Sequence, residues 1–165
     1  MINLTDVKNN EDLLSRVMTI IHGPLLAGDV LVNALGYGSS GALRQASLRK
    51  MVPVTLFDIP ERKFKYALSV EVAHWLVQQR VANCSDPFDV VSSTIEPKSA
   101  QFKLFILDHG YLLLESDLIR LLGLESRSEL IQKQESEKLP FGLFRIDHRQ
   151  TKLFALAIEA FQHLG

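Results

Sequence analysis

Leu31, Ala34 and Leu35 stand at helical spacing, and Leu118, Leu121 and Leu122 repeat the pattern further along. Side chains three and four residues apart share one face of a helix. Asp29 opens the first of these helices, and Ser116 or Asp117 opens the second. Gly36 and Gly123 close them, because glycine readily takes the left-handed conformation at a helix C-terminus. After a turn of three or four residues, a further helix is expected over 40–50, capped by Ser39 or Ser40. Its equivalent is expected over 129–137, capped by Ser126 or Ser128. The apolar period then shortens. Residues 52–59 are β-branched and aromatic, 60–63 are polar and turn-like, and 64–68 alternate. That order predicts a two-stranded hairpin with a charged tip. Residues 141–146, a turn at 147–150 and 153–156 predict another. Closing helices are expected over 69–80, with Val72, Trp75 and Leu76 on one face, and over 157–164, with Ile158, Phe161 and Leu164. The stretch 12–21 fits an amphipathic helix, with a strand as the alternative.

These parallels are one internal repeat, the feature that most constrains an architecture. Residues 22–35 return at 109–122, and the matches then run on in order. Gly36 pairs with Gly123, Ser39 with Ser126, Leu43 with Leu130, Gln45 with Gln132 and Pro53 with Pro140. Leu56, Phe57 and Ile59 pair with Leu143, Phe144 and Ile146. After one inserted residue, Ala67-Leu68 matches Ala155-Leu156, and Glu71 matches Glu159. The expected organisation is an N-terminal segment at 1–21, copy 1 at 22–82, a linker at 83–99 and copy 2 at 100–165.

Two short helices joined by a tight, glycine-containing turn form a helix-turn-helix pattern. The segments Asp29-Val30 to Leu35-Gly36, Ser39-Ser40 and Lys50-Met51-Val52-Pro53 follow that plan. So do Lys65-Tyr66-Ala67-Leu68 and Glu71-Val72-Ala73-His74-Trp75-Leu76. In this order they resemble the winged helix-turn-helix of the MerR superfamily, especially its small excisionase-like members. The resemblance covers 25–80 well and 112–164 more faintly, and copy 2 has lost much of the polar pattern. It implies an α+β fold of two tandem winged helix-turn-helix domains, each a helix-turn-helix, a β-hairpin wing and a helix. It also implies binding to double-stranded DNA, with the second helix in the major groove and the wing on the flanking backbone or minor groove.

Charge sharpens this expectation. The chain carries 18 Lys and Arg against 19 Asp and Glu, a net charge of −1, so any basic surface must be local. Residues 22–80 hold seven basic and four acidic side chains, net +3, and the basic ones gather on the second helix and wing. Arg44 and Gln45 are suited to bidentate contacts with base edges. Arg49, Lys50, Arg62, Lys63 and Lys65 are suited to phosphates. Ser39 and Ser40 stand where a helix N-terminus meets phosphate. Residues 109–165 hold seven basic and eight acidic side chains, with Glu129, Glu135 and Glu137 on or at the end of the second helix. Copy 2 is therefore the weaker DNA reader, left to pack on copy 1, dimerise or bind a protein. Arg149 and Lys152 keep a secondary DNA contact open.

Other chemistry finds less support. Gly36-Tyr37-Gly38-Ser39-Ser40-Gly41 fits G-x-G-x-x-G, but a pyrophosphate cradle requires a preceding strand, and here a helix precedes. Cys84, the single cysteine, sits in the expected linker and has no fixed partner. His22 and His109 occupy equivalent positions before glycines and suit a turn role better than a metal. No enzyme, cofactor or metal is expected. The longest apolar runs are too short for a membrane span and no signal peptide is visible, so a cytoplasmic protein is expected. The leading expectation is a transcriptional regulator or recombination accessory factor of a mobile element. The alternative is an assembly or adaptor module that uses the fold to bind or dimerise with protein.

Overall fold

A computed structural model describes residues 4–83, 100–136, 138–149 and 151–164. The first half runs α1 (Leu4–His22), β1 (Leu25–Ala27), α2 (Gly28–Ala34), α3 (Ser40–Leu48), β2 (Phe57–Asp58), β3 (Lys65–Leu68) and α4 (Ser69–Asn83). The second runs α5 (Ala100–His109), β4 (Leu112–Leu114), α6 (Glu115–Leu121), α7 (Arg127–Glu135), a 3-10 turn (Asp147–Arg149), β5 (Phe154–Leu156) and α8 (Ala157–Leu164). The fold is α+β, with eight α-helices and small antiparallel sheets among the described residues.

The stretch expected as helix or strand near the N-terminus is helix, and the spacing explains it. Val7, Leu14, Val17 and Met18 fall on one stripe and are buried, against Val72, Ala73, Leu76 and Val77 of α4. Each such burial contributes about 1.5–3 kcal/mol. Glu11 accepts from Gln78 Nε2 at 2.8 Å and lies 3.1 Å from His74 Nδ1, lining the edge of the same helix pair. α4 runs on through Asn83, so the first residue of the expected linker is helical. The rest of that linker, 84–99 with Cys84, lies outside the described residues.

The sheets depart from expectation in two ways. β1 and β4 are additional strands, and each pairs with the return strand expected in its half, in the same register. Leu25, Leu26 and Ala27 face Leu68, Ala67 and Tyr66, as Leu112, Leu113 and Leu114 face Leu156, Ala155 and Phe154. The expected outgoing strands are also far shorter. In 52–59 only Phe57–Asp58 pairs with β3, since Pro53 has no N–H for a ladder and Thr55 N donates instead to Glu71 Oε1. In 141–146 only Phe144 is bridged, to Phe154, the positions that repeat Phe57 and Tyr66. The turn expected at 147–150 is 3-10 at Asp147–Arg149, and Gln150 lies outside the described residues.

Helix ends follow their caps. Ser39 Oγ accepts from Ala42 N and Ser126 Oγ from Glu129 N, so α7 begins before the expected Glu129. α2 and α6 instead begin after Ala27 and Leu114, with no side-chain cap, and place Asp29, Glu115 and Asp117 in their first turns. Carboxylates there suit the positive end of the helix dipole. α3 stops at Leu48, and Lys50 takes the left-handed conformation as Met51 N bonds back to Ala46 O. Glu137, its counterpart, lies outside the described residues.

Buried apolar side chains of both halves form one cluster. At the seam, Gly36 has a φ of +71° and packs so closely on Ile146 that a Cβ would overlap it. Arg80 of α4 meets Glu159 of α8 at 3.2 Å. Gln79 Nε2 donates to Asp147 Oδ2 and accepts from Asp147 N at its own Oε1, both at 3.1 Å. His148 stacks on Tyr37 at 4.3 Å, with Trp75 at 6.0 Å on a nearly parallel plane.

Candidate nucleic-acid interface

α3 is held by its cap at Ser39 and by Leu43, its one buried residue. With a single side turned inward, the remainder of the helix faces solvent. Ser40, Arg44, Gln45, Arg49 and Lys50 are all exposed there, and Arg62, Lys63 and Lys65 are exposed on the hairpin. The two elements converge on a groove of about 390 Å³, whose lining includes Ser40, Arg44, Lys63 and Lys65. Gln45 lies about 100° round the helix from Arg44, and Arg49 continues that second stripe one turn on. Four of the expected contact residues thus share one groove, and Gln45 and Arg49 flank it. Lys65 is partly offset, because its ammonium pairs with Asp58 across the hairpin. Glu61 holds the tip in a left-handed turn, which Arg62 N closes on Ile59 O at 3.0 Å.

The same surface in the second half is built differently. Arg44 is matched by the half-buried Ile131, and Ser40 by Arg127. Arg127 Nε lies 3.1 Å from Glu115 Oε2, and the guanidinium also donates to Thr151 O. Glu129 braces the start of α7: its Oε2 accepts from Glu125 N, one residue before the N-cap, while the N-cap Ser126 Oγ accepts from the Glu129 amide, a capping box displaced by one residue. Lys152 lies 3.6 Å from Glu115 Oε1. Arg149 donates to Gly36 O at 2.8 Å, across the seam between the halves. Neither joins the α3 groove, and both are engaged within the chain.

Sequence reasoning missed two features. Leu48, Met51 and Phe64 are 70%, 63% and 58% exposed, beside the cations. Helical spacing gave a signal for Leu48, which lies off the stripe that carries Leu43. The other is a cleft of about 350 Å³ at the seam, lined by residues from both halves. His22 and His109, paired by the repeat, both line it at the ends of α1 and α5. Each is followed by a glycine at positive φ that bonds back into its helix. Burial lowers the pKa of His22 and raises those of Tyr37 and Tyr111.

No family model, curated protein or solved structure matches this chain. Among the described residues, no cluster of three or more His, Cys, Asp or Glu side chains is arranged to hold a metal, and no helix is long and apolar enough to cross a membrane.

Proposed function

We propose that the chain is a sequence-specific double-stranded-DNA-binding protein, a transcriptional regulator or recombination accessory factor whose first half is the main reader. Each half is taken as a winged helix-turn-helix unit, with α3 entering the major groove and the β2–β3 hairpin resting on the flanking backbone. The observation that carries the proposal is the convergence of Ser40, Arg44, Lys63 and Lys65 on one exposed groove between helix and hairpin. Cations so placed neutralise phosphates and release counterions, while Arg44 and Gln45 present hydrogen-bonding groups to base edges. The second half presents Ile131 where the first presents Arg44, so it acts as a scaffold or protein contact.

Binding of the intact chain to a duplex, followed by fluorescence anisotropy at rising salt, tests this. Affinity should fall linearly with salt on logarithmic axes. Arg44→Ala with Lys63→Ala should weaken binding and lower that slope by about 1 for each phosphate no longer neutralised. Binding that ignores both substitutions would remove these residues from the interface. A second proposal has a specific observation behind it: the exposed Leu48, Met51 and Phe64 suit a protein partner on the same surface. The absence of a DNA shift at low salt, together with a defined oligomer, would favour it.

A further inference from the structure

The groove between α3 and the β2–β3 hairpin carries more than a phosphate-binding face needs. Each wall sets a cation beside a large apolar side chain, Arg44 and Leu48 on α3, Lys63 and Phe64 on the hairpin. Arg44 and Leu48 stand four residues apart, so they share one stripe of the helix with their Cβ atoms about 5–6 Å apart. Both apolar side chains are open to solvent, Leu48 at 70% and Phe64 at 58%, while the buried Val32 and Leu43 also line the groove. Arg44 and Lys63 are exposed as well. Lys65 is paired with Asp58, but no ion pair or hydrogen bond engages Arg44 or Lys63 among the described residues. No carboxylate belongs to the lining of the groove. Accessible cations without a counter-charge attract an anion, and accessible apolar surface is stabilised by being covered. A phosphate answers only the first. The groove, about 390 Å³, falls within the range of small-molecule sites.

We propose that this groove binds a small amphiphilic carboxylate, of the medium-chain fatty-acid class. Its carboxylate is taken by Arg44 and Lys63, and its aliphatic chain lies against Leu48 and Phe64. A guanidinium can hold a carboxylate through two parallel N–H bonds, and one helical turn separates that head group from the apolar wall at Leu48. An amine of the same length meets two cations instead. An acetate-sized anion leaves Leu48 and Phe64 in water. The binding proposal does not depend on DNA. Its regulatory consequence rests on the DNA reading: the carboxylate covers Arg44 and Lys63, so the amphiphile and the duplex exclude one another.

The test is an amide NMR titration of the isotope-labelled full chain with octanoate, acetate, octanol and octylammonium at constant ionic strength. Octanoate should shift amides of α3 and the hairpin as one saturable site. Acetate and octanol should each bind at least about tenfold more weakly, through loss of the buried chain or of a charged hydrogen bond, and octylammonium should bind more weakly still. Arg44→Gln with Lys63→Gln should bring octanoate down to the affinity of octanol and leave octanol unchanged. Leu48→Ser, at an exposed position, should weaken octanoate and octanol alike. Unmoved amides on α3 and the hairpin would overturn the proposal, as would equal affinities for octanoate and octylammonium, or octanoate binding that ignores the double substitution. In competition, octanoate should displace a bound duplex where octylammonium does not, and a duplex that stays bound at octanoate saturation would overturn the shared site. Saturable octanoate binding by a chain that binds no duplex would support the ligand site while removing the DNA reading.

Discussion

Arg80 carries its guanidinium to the seam between the halves, where its side chain is 1% exposed and that of Glu159 is 8% exposed. Gly142 lies so close that any Cβ there would overlap the guanidinium. Removing one partner of a buried ion pair strands the other charge and costs about 3–5 kcal/mol. Glu159→Gln should therefore lower unfolding stability by about that amount, read from urea midpoints; an unchanged midpoint would mean the pair contributes nothing. His148 makes stability depend on pH. Burial lowers its pKa most strongly; a hydrogen bond to the Leu35 backbone opposes this, Arg149 adds to it and Asp147 opposes it. Its folded pKa thus lies below the unfolded value of about 6.5. The stabilisation is complete above that unfolded value and is lost as pH falls from there through the folded value, because protonation favours the unfolded chain. Urea midpoints at about pH 7.5 and about pH 5.5, either side of the histidine range, should therefore differ. The difference should shrink in His148→Phe, which keeps a ring against Tyr37, and a difference of the same size would assign the effect elsewhere.

Among the elements, the helices were legible because their signals are local. Leu31, Ala34 and Leu35 mark a face, Ser39 caps and Gly36 stops, each within a few residues. β1 and β4 were not legible, since three residues carry no period and their partners lie 39 to 44 positions away. The long strand expected at 52–59 gives way at Pro53, where the ladder lacks a donor, and of the one expected at 141–146 only Phe144 is bridged. In sequence Glu129 reads as a charge opposed to DNA, but in the fold its carboxylate accepts from Glu125 N at the start of α7. Glu129→Ala should consequently cost about 1 kcal/mol of stability, typical of losing one hydrogen bond. A Glu129→Ala protein that keeps its midpoint would return this carboxylate to the surface role. For the candidate interface, the residue types were legible, because basic residues cluster in sequence on α3 and the hairpin. The groove itself was not, since it depends on how two elements meet. The engagement of Arg149 and Lys152 was hidden for the same reason.

Across the whole molecule, the repeat makes the two halves look like independent copies, yet their cores merge. Arg80, Gln79, Tyr37 and Gly36 all face partners in the second half. A chain of residues 1–83 alone would expose this surface and leave Arg80 without Glu159. The intact chain should accordingly unfold in one cooperative transition by both fluorescence and circular dichroism, and the isolated half should melt well below it. Two separated transitions, the first half melting at its own unchanged midpoint, would show that the seam is incidental. The two halves also differ in what they present: one carries the groove that Arg44, Lys63 and Lys65 help to line, and the other braces the α2–α3 turn through Ile146, His148 and Arg149. The function proposed for the molecule stands or falls with duplex DNA being read in that groove. Selection from a pool of random duplexes with the intact chain decides it. The predicted result is enrichment of a defined sequence, abolished in the Arg44→Ala, Lys63→Ala protein. A pool that stays random at low salt, or the same sequence enriched by the doubly substituted chain, would contradict it.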